Sequence, residues 1–232
     1  MKNAPKITMI VALFCSLFTV ATAQDISFGL RGGVNFANVY TTDGLDNLTP
    51  DFKSYEAINL AAVAEIGITE NFAFQPELAF INKGFVVAED FDLELFNMPL
   101  PVGATAESRF RYLELPLLAK YKFGGEGLNA YVTAGPTLGY AMSGRLVTRA
   151  NALIDFQLSD SNIDLDAIDY ERFEVGALVG LGVAVSTSFG QLFADARYQR
   201  GFTQLYDIPV VEEQIRNQGI ALNVGFLVPI GK

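Results

Sequence analysis

Residues 173–186 read FEVGALVGLGVAVS. Val175, Val179, Leu181, Val183 and Val185 fall on one parity; Glu174, Gly176, Gly180, Gly182 and Ser186 fall on the other. Period-two alternation makes a strand with two chemically different faces. The pattern recurs along the chain. Ile26, Phe28, Leu30, Val34 and Phe36 oppose Ser27, Gly29, Arg31, Gly33 and Asn35. Phe72, Phe74, Leu78 and Phe80 oppose Gln75, Glu77, Ala79 and Lys83, and Ile220, Leu222, Val224, Phe226 and Val228 oppose Gly219, Ala221, Asn223 and Gly225.

Eight strands are expected, near Ile26–Ala37, Ala57–Thr69, Phe72–Phe85, Glu107–Phe123, Asn129–Ser143, Glu171–Ser186, Gln191–Phe202 and Asn217–Ile230. Each is long enough to cross a bilayer as a tilted strand, which takes about 9–11 residues. Short connections at Thr69-Glu70-Asn71, Gly124 to Leu128 and Thr187 to Gly190 alternate with long ones at about 38–56, 86–106, 144–170 and 203–216. An even strand count with short turns at one end and long loops at the other is the plan of an all-β, antiparallel, up-and-down transmembrane barrel. The large-residue face would meet lipid and the small-polar face the lumen. A soluble extracytoplasmic ligand-binding barrel also alternates, but it puts its large residues inside. The bland, sparsely charged smaller face favours the membrane form.

The N-terminus reads as a signal peptide over residues 1–23. Lys2 and Lys6 precede an apolar stretch from Ile7 to Val20, and Ala21-Thr22-Ala23 has the small-x-small cleavage spacing. The barrel domain would then be residues 24–232. An uncleaved anchor is the alternative, and the apolar stretch is short for one. Cys15, the single cysteine, lies in this stretch, so no disulfide is expected in the barrel.

Without Lys2 and Lys6 the chain carries 14 basic against 26 acidic residues, a net charge of −12. The four long connections hold all of that excess, so four acidic loops would sit on a neutral barrel. Arg31, Glu65, Glu77, Lys83, Glu114, Lys120, Glu174, Asp195 and Arg197 fall on the predicted lumen face. Ions in a narrow interior are very costly unless paired. An eight-stranded interior is only wide enough for side chains to fill it. A plugged lumen with an ion-pair network is therefore expected, with a small passive pore as the alternative. Asp160, Asn162, Asp164, Asp166 and Glu171 hold positions 1, 3, 5, 7 and 12 of a calcium-loop spacing. Leu165 stands where that motif wants glycine, so a solvated acidic loop competes with the metal reading.

No histidine occurs anywhere, which removes Ser-His and Asp-His catalysis and the commonest metal ligand. No phosphate-binding loop or dinucleotide motif precedes a helix, and an acidic chain has no footprint for nucleic acid. No enzyme activity and no cofactor are expected.

Four stretches carry a resemblance. They are Phe28-Gly29-Leu30-Arg31-Gly32-Gly33-Val34-Asn35; Gln75-Pro76-Glu77-Leu78 leading to Lys83-Gly84; Tyr112-Leu113-Glu114-Leu115-Pro116-Leu117-Leu118-Ala119-Lys120-Tyr121; and Gly135-Pro136-Thr137-Leu138-Gly139. Together they resemble the PorT-like outer-membrane β-barrel family of Bacteroidetes. The resemblance implies a Gram-negative outer-membrane location, an eight-stranded barrel and, for some relatives, a link to protein secretion. It transfers no catalytic residue. The chain departs from common barrel habit in ending Val228-Pro229-Ile230-Gly231-Lys232, without a terminal aromatic, and in having no tryptophan. The expected partners are outer-membrane lipid and the barrel-insertion machinery, with an unidentified partner for the loops. Both termini would be periplasmic and the long loops extracellular. The function expected is a non-enzymatic structural or surface-interaction role.

Overall fold

The computed structural model describes residues 25–40, 52–95, 98–125, 127–151, 156–167, 170–204 and 216–230. Nine strands form: β1 Ile26–Tyr40, β2 Phe52–Gly67, β3 Phe72–Leu95, β4 Met98–Gly124, β5 Leu128–Asn151, β6 Phe156–Ile163, β7 Phe173–Thr187, β8 Gly190–Gly201 and β9 Arg216–Ile230. Eight of them close a ring in the order β1-β2-β3-β4-β5-β7-β8-β9, with β9 pairing back onto β1 from Ile26↔Ile230 to Tyr40↔Arg216. Every pairing is antiparallel. Closure leaves no unpaired edge within the ring, which a sheet in hydrocarbon requires. Ile26 and Ile230 stand at the end that carries the short turns, where Gly124 takes a positive φ of 115° to leave β4. The expected signal peptide, residues 1–23, lies outside the described residues.

The faces sort as the parity demands. Val175, Val179, Leu181, Val183 and Val185 all point outward, Leu181 with 66% of its surface exposed. Leu30, Ile58, Leu78, Leu222 and Val224 continue this band around the ring. An apolar surface of this extent does not stay dispersed in water, which rules against the soluble reading.

The interior differs from expectation in one respect. It is not lined by small residues alone: Tyr112, Tyr131, Phe110, Leu118 and Leu227 are among its largest fully buried side chains. Glycines opposite them make the room. A Cβ on Gly182 would lie 2.5 Å from Cζ of Tyr131, and one on Gly225 would lie 2.3 Å from Cζ of Phe193. Tyr131 and Phe193 meet edge-on, 6.5 Å between ring centres, in a cluster with Val63, Ala184 and Leu227. The alternation of large and small inward residues thus runs between strands and fills the ring. Gly182→Val drives a branched side chain into Tyr131 and the Ala194 carbonyl. The expected result is loss of the compact, heat-modifiable band on unboiled gels.

Two of the expected long loops are mostly strand. The β3–β4 ladder keeps one register from Phe72↔Tyr121 to Leu95↔Met98, through the stretch expected as the loop 86–106. Phe91, Leu93 and Leu95 alternate with acids there, so the strand pattern continues under the charge. In the stretch expected as the loop 144–170, β5 runs on to Asn151 and β6 folds back along it, from Gly144↔Ile163 to Ala150↔Phe156. The upper parts of β3, β4, β5 and β6 therefore form a sheet projecting from one side of the ring.

Candidate functional site

The lumen holds a ladder of ion pairs in three tiers. All nine charged residues expected on the inner face are buried there. The alternation within each strand aims them inward, and their neighbours on the ring supply partners from far along the chain.

In the middle tier, Glu77 lies between two arginines. Arg31 donates to its Oε2 from Nη2 at 3.0 Å and from Nε at 3.2 Å. Arg197 donates to both oxygens from Nη1 at 2.9 Å. Gln75 Nε2 donates to Oε1 at 2.6 Å. Arg197 also grips Asp195 in a two-point contact at 3.0 and 2.8 Å, the geometry that makes arginine–carboxylate pairs strong. Asp195 further accepts from Tyr131 and Asn223, while Arg31 donates to Asn59 and Asn223. Two cations and two anions balance, and every one of the four has at least two partners.

Toward the end away from the termini, Lys83 serves two carboxylates, Glu174 at 2.7 Å and Glu114 at 3.0 Å. Asn217 donates to Glu174 and Gln199 to Glu114, both at 2.6 Å. The Lys83 ammonium also lies 4.7 Å from the centre of the Tyr112 ring. Toward the termini the ratio reverses: Glu65 receives Lys120 at 2.7 Å and Lys122 at 2.5 Å. Lys120 sits 4.0 Å above the Tyr131 ring. Lys122, its side chain 23% exposed, completes the balance of five cations and five anions along the ladder.

Above the Lys83 tier the loop after β6 roofs the barrel. Leu165 and Tyr170 are buried in a cluster with Val39, Ile81, Phe110 and Tyr112. Phe110 and Tyr170 stack at 4.6 Å, and the Tyr112 and Tyr170 hydroxyls share a 2.5 Å hydrogen bond. Within the ladder the enclosed spaces are about 20 Å³, beside Arg31, Asn59 and Glu114, and about 10 Å³, beside Lys83 and Glu174. Each has room for roughly one water. A wider hollow of about 510 Å³ opens at the terminus-bearing end, against Glu65 and Lys122.

The five residues of the calcium-loop spacing are not gathered. Asp160 and Asn162 lie in extended β6, and Asp160 pairs with Arg145 at 3.4 Å. Asp164 caps the backbone N–H groups of Asp166 and Ala167; Asp166 pairs with Arg172 at 2.9 Å; Glu171 accepts the N–H of Phe173. No group of three or more metal-ligating acids occurs among the described residues.

Sequence reasoning missed the aromatic members of the lumen. Tyr112 shares the parity of Glu114, and Tyr131 that of Thr133 and Thr137, so parity could have placed them where size did not. It also missed Gln199 and Asn217, which complete the hydrogen bonding of the upper carboxylates.

The backbone resembles several solved outer-membrane proteins. Ail, the attachment invasion locus protein of Yersinia pestis, matches at 12% identity and TM-score 0.40, over 88% of this chain and 99% of that one. Neisserial surface protein A matches at 14% and 0.39, over 88% and 97%. OprG of Pseudomonas aeruginosa matches at 13% and 0.45, over 90% and 98%. No curated protein sequence matches the chain. One family description, outer membrane protein beta-barrel domain, fits residues 22–207. The closed ring, its apolar exterior and this match agree: the chain belongs to the outer membrane protein beta-barrel domain family.

Proposed function

We propose that this protein is a non-conducting, non-enzymatic outer-membrane barrel that serves as a rigid base for surface-exposed loops. The observation that carries this reading is the lumen ladder, whose paired side chains fill the interior and leave spaces of about 20 and 10 Å³ beside them. Moving an ion through it requires separating buried pairs at a cost of several kcal/mol each. The termini are periplasmic and the acidic loops extracellular, with the β3–β6 sheet projecting outward as the contact surface for a partner. The motifs around Gly29, Glu77 and Glu114 support membership of the PorT-like branch found in Bacteroidetes, and with it a part in protein secretion. Outer-membrane lipid and the barrel-insertion machinery are its general partners.

Planar-bilayer recording tests the closed lumen. The intact chain is expected to give no resolvable steady current. Unitary currents that change with Lys120→Met or Glu114→Gln would replace this reading with the passive pore. Trypsin added to intact cells tests the orientation: cleavage within the long connections is expected, and cleavage confined to permeabilised cells would reverse the topology.

A further inference from the structure

Outside the ladder, every basic residue among the described ones lies toward the end away from Ile26 and Ile230. At the opposite end the exposed charges are Asp25 and Glu70. Among the described strand residues outside the ladder, every basic residue except Lys53 on β2 lies on β4, β5, β8 or β9. Arg111 on β4, Arg145 on β5, Arg200 on β8 and Arg216 on β9 occupy one arc of the ring, with β7 between β5 and β8. On β1, β2 and β3 the corresponding positions are Asn38, Glu56 and Asn82.

The level of this arc is fixed by the strands. Arg111 is exposed and follows Leu115 and Leu113 on the outward parity; Arg200 is exposed and follows Tyr198. Arg216 shares the parity of Gln218 and Ile220, and Arg145 stands just past exposed Met142. Arg111 therefore stands at the top of the apolar band, and Arg200 stands within its last rows, between exposed Tyr198 and Phe202. Tyr140 and Tyr198, both outward and exposed, mark this level in the same arc. Tyrosine rings favour the headgroup level of a bilayer. The guanidinium fork matches two phosphate oxygens at once, which an ammonium cannot do. Arg145 holds Asp160 at 3.4 Å, but the two side chains are 46% and 36% exposed, so this pair contributes little and can exchange for a stronger anion.

We propose that Arg111, Arg145, Arg200 and Arg216 form a binding arc for the phosphate of a membrane lipid whose acyl chains lie on the apolar band beneath. The arc goes beyond the lumen and holds whether or not the barrel conducts. Phosphatidic acid and diacylglycerol with identical chains differ only by the phosphate, so they are the probes. The full chain, folded in neutral detergent, is mixed with each lipid and the retained lipid is counted by native mass spectrometry. Wild type is expected to retain phosphatidic acid about tenfold better than diacylglycerol, as charge-assisted contacts worth ~1.4 kcal/mol would give. R111Q/R200Q/R216Q is expected to lose that preference while keeping its heat-modifiable mobility. R111K/R200K/R216K is expected to fall between, because it keeps the charge and loses the fork. Equal retention of both lipids by wild type, or an unchanged preference in the glutamine variant, overturns the proposal. Release of phosphatidic acid by excess inorganic phosphate would assign the arc to free anions and overturn the lipid assignment.

Discussion

Glu77→Gln is expected to destabilise the folded barrel by about 3–5 kcal/mol, the cost of removing one partner from a buried ion pair. The physical reason is the number of cations it faces. Arg31 and Arg197 both donate to Glu77, and its side chain has no exposed surface. Glutamine preserves the shape and one oxygen acceptor but leaves Arg31 without a carboxylate. Asp195 still holds Arg197 through two contacts, so the uncompensated charge resides on Arg31. Urea titration of the protein in lipid vesicles, read as the folded fraction on unboiled gels, measures the loss; the absence of tryptophan makes mobility the better signal. The double variant Glu77→Gln/Arg31→Met restores neutrality and is expected to recover more than half the loss. If Glu77→Gln leaves the midpoint unchanged, the middle tier does not stabilise the fold in the way its geometry implies.

Lys83→Met is expected to be about as damaging, again about 3–5 kcal/mol, and Lys120→Met less than half as much. Both lysines are buried, so burial does not distinguish them. Their partners do. Lys83 is the one cation in contact with Glu114 and Glu174 among the described residues. Its removal places two carboxylates together with only Gln199, Asn217 and tyrosine hydroxyls around them. Lys120 shares Glu65 with Lys122, so its loss leaves that carboxylate paired. The same vesicle titration ranks the two variants, and equal midpoints would show that the tiers act as one pooled charge rather than as local sets.

Much of this was legible in the chain. Side-chain direction in a strand depends only on parity, which is local, so the eight ring strands, their outward rows and all nine lumen charges could be read without neighbours. Who pairs with whom could not. Arg31 meets Glu77 across 46 positions and Arg197 meets it across 120. Such pairings follow from the stagger of the closed ring, which no single strand encodes. Charge misled the reading at two places. The acids between Glu89 and Glu94 suggested a loop where the β3–β4 ladder continues, because strand pairing outside the membrane tolerates charge on its faces. Leu165, which spoils the calcium-loop spacing, is buried under the roof with Tyr170 and Phe110. It anchors the turn, and the acids around it are directed to arginines and backbone amides instead of toward a common centre.

The β3–β6 sheet has a consequence for how the protein behaves in its bilayer. Past the last β2–β3 pair, from Val87↔Ala106 to Leu95↔Met98, the β3–β4 ladder advances eight more residues, about 26 Å of chain at ~3.3 Å per residue. A bare cylinder would meet its neighbours alike from every compass point. This one carries a mast on one flank, so lateral encounters acquire a bearing, and crowding can line up copies without any contact between their walls.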